Sequence, residues 1–482
     1  MAKASRSTQS PGPTPSGPPT IGTVGELRAS GHQHRTLKAE LRANLLEALR
    51  TGGERFRGIV GFDETVLPAL ERALLAGHDL VLLGERGQGK TRLARTLTTL
   101  LDPWTPVLAG SALREHPYLP LTSHSRALVA EAGDDLPIEW LAAADRYAEK
   151  LATPDTSVGD LIGDVDPVKV AEGRSLGDPE TVHYGLVPRA NRGIFVINEL
   201  PDLAERIQVS LLNVLEERDV QVRGYNLRLP LDLLLVATAN PEDYTNRGRI
   251  ITPLKDRFGA EIRTHYPIEL AHELALVRQE AVLGWEASES PVPDHLLEIL
   301  VRFTRAVRES PAVDSRSGVS ARFAIAAAET VAASAYRRAA VTGEAPVARI
   351  SDLAAIVATL RGKVEFEAGE EGRELEVLAH LLRRATHEVF RARLGGADLS
   401  ALVERIETEG LIASGDLVPA ADLLEAIGPM AGLAKLMSRL GMEGAESPGQ
   451  AAAAAEFALE GLYLARKISK DVDDTGRVVY GQ

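Results

Sequence analysis

The eight residues Gly84-Glu85-Arg86-Gly87-Gln88-Gly89-Lys90-Thr91 fit the pattern G-x-x-x-x-G-K-[ST]. Each residue type has a chemical reason. Glycines let the backbone turn closely and aim successive N–H groups at one anion. A helix starting at Lys90 adds the partial positive charge of its N-terminus. The Lys90 ammonium reaches the β- and γ-phosphates of a nucleotide, and the Thr91 hydroxyl can ligate Mg²⁺. Two polar strand ends could complete such a site. Gly193–Glu199 is an apolar run closing on Asn198-Glu199. A carboxylate there can polarise an attacking water. On its own, Glu199 reads more readily as a solvated strand end; beside a phosphate loop it becomes the candidate base. Asn240 closes the run Leu233–Ala239. Its amide could orient the same water, and local sequence fits an Asn-Pro turn equally well.

These residues need elements to hold them. Leu80–Leu83 is a short apolar run ending in glycine, the pattern of a strand buried on both faces. From Lys90 to Leu101 the apolar residues return to helix spacing. Further strands are expected at Thr105–Leu108, Ile194–Ile197, Leu233–Ala237 and Glu261–His265, and helices at Leu37–Leu49 and Glu64–Ala76. Strands alternating with helices imply a layered α/β sheet. After about Pro267 the chain is rich in Ala, Leu, Glu and Arg. Helical stretches are expected at 269–284, 294–308, 320–340, 351–362 and 373–393, with no strand before Val478-Val479-Tyr480. The Ala451–Ala455 run reads as a plain helix, on the surface or in a core.

The chain has 482 residues, 54 Lys and Arg against 68 Asp and Glu, and a net charge of −14. Phosphate neutralisation needs a surplus of cations, so this balance argues against nucleic acid as a partner. There is no cysteine, which removes disulfides, thiolate metal sites and thiol catalysis. No apolar run reaches the ~20 residues of a membrane span. Residues 1–24 are Ser/Pro/Gly-rich and read as a disordered tail rather than a signal peptide. A cytoplasmic location is expected. His32-Gln33-His34 lacks an accompanying carboxylate cluster and is set aside as a metal site.

The loop, Ile197-Asn198-Glu199-Leu200, Ala239-Asn240-Pro241 and Leu254-Lys255-Asp256-Arg257-Phe258 together resemble the AAA+ ATPases, and within them the MoxR and magnesium-chelatase small-subunit branch. The resemblance spans roughly residues 55–360. It implies a P-loop AAA+ core, a parallel sheet flanked by helices, over 25–267. An all-helical lid over 268–366 and a mainly helical C-terminal region over 367–482 follow. It implies ATP and Mg²⁺ as cofactors and a homo-oligomeric ring, a hexamer. A protein with a von Willebrand factor A domain is the expected partner. Arg257 takes the place of the finger that reaches ATP on a neighbouring subunit, with Arg247 and Arg249 as runners-up. Arg322, in Gly318-Val319-Ser320-Ala321-Arg322, takes that of the lid arginine that senses nucleotide in cis. The usual Asp before the catalytic Glu is here Asn198, which keeps the hydrogen-bonding shape and loses a charge, so Mg²⁺ should bind more weakly. The stretch 159–187 resembles the hairpin insert of this branch, and 219–231 reads as a β-hairpin, either one that faces the ring pore and touches partners or substrates or a structural one. The expected function is an ATP-driven remodelling motor. The alternatives are a nucleotide-gated scaffold with little turnover, or the motor subunit of a true metal chelatase. An enhancer-dependent activator is disfavoured because the Gly-Ala-Phe-Thr-Gly-Ala loop is absent.

Overall fold

The computed structural model describes residues 17–165, 168, 171, 181–216, 220–222, 225–227, 229–241, 249–284, 290–314, 318–415, 417–430, 432–442, 447–472 and 477–481. The chain divides into two compact units. The first is Met1–Glu85 with Gly89–Thr264; the second is Arg86–Gln88 with His265–Gln482.

The first unit is built on a five-stranded parallel sheet. Its strands are β1 (Leu80–Leu83), β4 (Tyr147–Leu151), β7 (Ile194–Asn198), β10 (Leu234–Ala239) and β11 (Ala260–Arg263), in the order β11-β1-β10-β7-β4. The register puts Leu83 beside Ala239, and Ala237 beside Ile197. The carboxyl ends of β1, β10 and β7 therefore lie side by side. Alternation sorts the apolar runs onto two faces. Leu80, Leu82, Ile194, Val196, Leu234 and Val236 pack on the helices Leu37–Thr51 and Val66–Ala76. Val81, Leu83, Phe195, Ile197, Leu235 and Ala237 face the helix Glu205–Glu216. Both faces are covered, which is why these strands read as unbroken apolar runs.

One expected strand forms outside the parallel sheet. Thr105–Leu108 lies in β2 (Trp104–Leu108), which pairs antiparallel with β3 (Ile138–Ala142) in a separate two-stranded ribbon. The fifth sheet strand is β4, Tyr-Ala-Glu-Lys-Leu, an edge strand whose half-exposed face carries polar residues. An edge strand needs no continuous apolar run, so it left no such signal. Within the stretch read as a tail, Ile21 accepts a hydrogen bond from Trp140 Nε1 (2.8 Å) and Val24 is buried. Residues 1–16 lie outside the described residues. Two hairpins form where the inserts were read. β5 (Gly163–Val165) pairs with β6 (Val182–Tyr184), and β8 (Val220–Val222) with β9 (Tyr225–Leu227).

The second unit has one continuous apolar core, running from Val277 to Tyr480. The helices Asp294–Arg308, Ala321–Thr342, Glu374–Leu394 and Pro448–Leu464 supply most of it. Ala452–Ala455 are fully buried, so the alanine run is a core helix. The absence of strands before Val478 is overturned. β12 (Ile412–Ser414), β13 (Ser469–Val472) and β14 (Val478–Gly481) form an antiparallel sheet. Strands of three and four residues are too short for an alternation pattern to reveal.

Candidate active site

The loop follows β1 directly. Gly84 N–H donates to Ala239 O (3.1 Å), tying the loop's start to the end of β10. Gly87 and Gly89 sit at φ 76° and 79°, where glycine alone is unstrained, and Gly89 precedes the helix Lys90–Thr96. Lys90 Nζ donates to the carbonyls of Gly84 and Glu85 (2.9 Å to Glu85) and to Asn240 Oδ1 (2.9 Å). Lysine and asparagine 150 residues apart thus meet over the loop.

Next to it, Thr91 Oγ1 donates to Asn198 Oδ1 (3.1 Å). Thr238 reinforces the pair. Its hydroxyl donates to Asn198 Oδ1 (3.3 Å) and accepts the Glu199 N–H (3.0 Å). Glu199 itself has φ 56° and ψ 48°, left-handed for a non-glycine residue. Such a conformation costs on the order of 1–3 kcal/mol and gathers at functional sites. The Thr238 bond holds the turn that throws Glu199 off the strand end. Asn240 is buried, whereas Lys90, Thr91, Asn198 and Glu199 are half-buried and reachable. Thr91 and Asn198 present neutral oxygens side by side, a donor set that fits a hard cation such as Mg²⁺.

Sequence reasoning missed Thr238. Its signal was parity: Thr238 and Asn240 are two apart on one strand and share a face. The other expected residues fall elsewhere. Arg257 ends the helix Thr252–Arg257, and its guanidinium binds Glu216 Oε2 (Nε–O 2.7 Å) and Pro253 O (2.9 Å). Arg249 is exposed, and its carbonyl accepts from Gln208 Nε2 (3.1 Å). Arg247 lies outside the described residues. In the second unit, Arg322 is exposed in the first turn of Ala321–Thr342, which Ser320 caps by accepting the Arg322 N–H (3.2 Å). The loop tip Arg86–Gln88 belongs to this unit. Tyr266 Oη donates to Arg86 O (2.8 Å), and a Cβ on Gly87 would lie 2.0 Å from Ser320 Cβ. Gln88 is buried.

The histidines set aside by sequence also have partners. His116 Nδ1 accepts the Tyr118 N–H (3.1 Å), and its Nε2 meets His32 Nε2 (3.2 Å), with the His34 ring edge-on at 4.6 Å. The Tyr118 bond fixes the His116 proton on Nε2, facing His32. Burial and the nearby Arg192 push the His116 pKa down to about 2.

Residues 172–257 match the Sigma-54 interaction domain. That stretch contains Asn198, Glu199, Asn240 and Arg257. The magnesium-chelatase 38 kDa subunit of Cereibacter sphaeroides is 28% identical over 235 residues, covering 46% of this chain and 62% of that protein. The chain is thus related in sequence to magnesium-chelatase subunits. Subunit ChlI of Euglena gracilis is 27% identical over 224 residues, covering 43% of this chain and 58% of its own length. The chain thus spans about six-tenths of those two relatives. It is also 24% identical over 221 residues to the acetoin dehydrogenase operon transcriptional activator AcoR of Bacillus subtilis, covering 45% of this chain and 29% of AcoR. Among the described residues, no helix is long and apolar enough to cross a membrane.

Proposed function

We propose that this protein is an ATP-hydrolysing remodelling motor of the magnesium-chelatase-like, MoxR-type branch, working as a ring on a partner protein. The observation that carries it is the convergence of Lys90 with Asn240, and of Thr91 with Asn198 beside Glu199, at the ends of three adjacent parallel strands. Ligands of open α/β sheets bind at such carboxyl ends. Loop amides from Gly84 to Thr91 bind the phosphates, and Lys90 sets its charge against the β- and γ-phosphoryl oxygens. Thr91 and Asn198 would hold Mg²⁺, which when bound neutralises phosphate charge. Asn240 orients the attacking water and Glu199 takes its proton. Arg257, released from Glu216, serves the ATP of the neighbouring subunit; Arg322 senses nucleotide in its own. The expected partner carries a von Willebrand factor A domain.

A scaffold with little turnover is the second reading, favoured by Asn198, which brings no charge to the cation. One experiment addresses turnover and ring together. Glu199→Gln should lower steady-state phosphate release by about 10²-fold or more, the scale of a general base. Arg257→Ala should also abolish release while leaving ATP binding near normal. In mixtures, an Arg257→Ala subunit holding ATP meets an intact finger on a Glu199→Gln neighbour. Such mixed rings should regain a fraction of the activity that neither variant has alone. Wild-type protein that binds MgATP and releases no phosphate favours the scaffold. No rescue in mixtures shown to be oligomeric removes Arg257 from the trans role.

A further inference from the structure

A cleft of about 700 Å³ in the first unit, lined by none of the phosphate-loop or strand-end residues, opens between the segment after β2 and the β5–β6 hairpin. Its walls include the apolar side chains of Leu113 and Val182 and the ring of Tyr184. Two guanidiniums, Arg114 and Arg189, line it as well. Arg114 is unusual twice over. Its backbone is left-handed at φ 51°, and its Nη1 is buried with no hydrogen-bond partner among the described residues. Unpaired buried donors are costly and call for an explanation. Strained residues of this kind gather at ligand clamps.

The surrounding charges favour an anion. Glu115 also lines the cleft, but its carboxylate is saturated. It accepts from Ser111 Oγ (2.8 Å), Ser125 Oγ, Leu121 N (2.6 Å) and Thr122 N (2.6 Å). Against the cost of burial, these donors hold Glu115 below the usual carboxylate range. Burial pushes Arg114 down; Asp145 opposes that, and the like charges of Arg189 and Arg146 add to it. Added negative charge in the cleft would relieve this crowding.

The geometry points to this cleft as a docking site for a carboxylate-rich peptide segment of a partner protein, gripped by Arg114 and Arg189. Planar guanidinium forks match carboxylates in bidentate fashion. Apolar walls suit the stems of a peptide's side chains and offer nothing to a bare polyphosphate. The proposal shares only its setting, a partner protein, with the motor reading.

The test uses the full chain and a fluorescein-labelled hexaglutamate peptide, followed by anisotropy, with MgATP affinity measured in parallel. Saturable binding is expected for wild type. Arg189→Glu, a change at an exposed residue, and Arg114→Gln should each weaken it at least 10-fold and leave MgATP affinity unchanged. Unaltered peptide binding by folded Arg189→Glu overturns the proposal. So does a wild type that does not bind the peptide. Free glutarate competing as strongly as the peptide, or a six-nucleotide single-stranded DNA binding more tightly, overturns the peptide as occupant. Intact peptide binding in a protein without ATP turnover would sink the motor reading and leave the cleft assignment standing.

Discussion

Both units seal an ion pair in their interior, Arg146–Glu40 in the α/β unit and Arg338–Asp352 in the helical unit, but the α/β unit also keeps polar groups open around its strand ends. In the α/β unit, Lys90, Thr91, Asn198 and Glu199 stand half-buried at strand ends, linked by single hydrogen bonds of 2.9 to 3.3 Å. In the helical unit, charge is sealed inside the core. Arg338 is fully buried and binds Asp352 Oδ1 (2.6 Å) and Glu344 Oε1 (3.0 Å). Asp352 Oδ2 accepts the Arg349 N–H (2.7 Å), and Arg349 Nε stands 3.5 Å from Glu456 Oε2, ion-pair distance without hydrogen-bond geometry. The contrast separates groups kept available for exchange with a ligand from groups that lock a packing arrangement. A buried ion network contributes little net stability, but removing one member leaves a charge stranded.

That contrast predicts its largest effect in the helical unit. Asp352→Ala should destabilise by about 3–5 kcal/mol, because Arg338 keeps its charge without its closest carboxylate. Calorimetric or urea unfolding would measure it. A loss under 1 kcal/mol would mean that the network locks nothing.

Acid sharpens the comparison. His295 is fully buried against Phe457, with ring centroids 4.8 Å apart, and burial pushes its pKa down to about 3. Neither of its ring nitrogens has a hydrogen-bond partner among the described residues. His116, in the α/β unit, has polar neighbours yet is also held near 2. In both cases the unfolded chain binds a proton that the folded chain refuses. Their stabilising contribution is complete above pH 6.5 and declines as pH falls toward the folded values. At pH 4.5 each costs roughly 3 kcal/mol relative to neutral pH. Urea unfolding at both pH values, in wild type and His295→Leu, should show the leucine variant losing less. Equal acid sensitivity would assign the effect to other groups.

The site predictions are smaller. Lys90→Ala removes the principal cation of the loop, so ATP affinity by calorimetry should fall at least ~10-fold, about 1.4 kcal/mol. The fold should survive, since the lysine is bound to carbonyls and an amide rather than packed in a core. Thr238→Val keeps the shape and removes the bridge between Asn198 and Glu199. A several-fold loss in turnover with ATP affinity kept, on the scale of one hydrogen bond of about 1 kcal/mol, is expected. Unchanged turnover would make Thr238 a mere strand residue.

Much of this molecule was decided locally. The loop pattern, the buried strands and the helix spacing over 294–308 are written in neighbouring residues, because glycine freedom and apolar periodicity act within a few positions. Asn198, Glu199 and Asn240 were legible as polar ends of apolar runs. Other features needed the folded chain. The edge strand β4 carries no apolar run, because half of it faces water. Trp104–Leu108 looks like a sheet strand and pairs elsewhere, since pairing partners are chosen in three dimensions. Thr238 gained its role only when the register of β10 and β7 set it beside Asn198. The Arg114 cleft joins residues about 70 positions apart, from Arg114 to Tyr184 and Arg189. The sequence by itself settled which chemistry the chain can do, because side-chain type and local backbone freedom are covalent facts. Only the tertiary structure decided which polar groups meet and which are sealed, because burial and hydrogen-bond partnership depend on what packs against each residue.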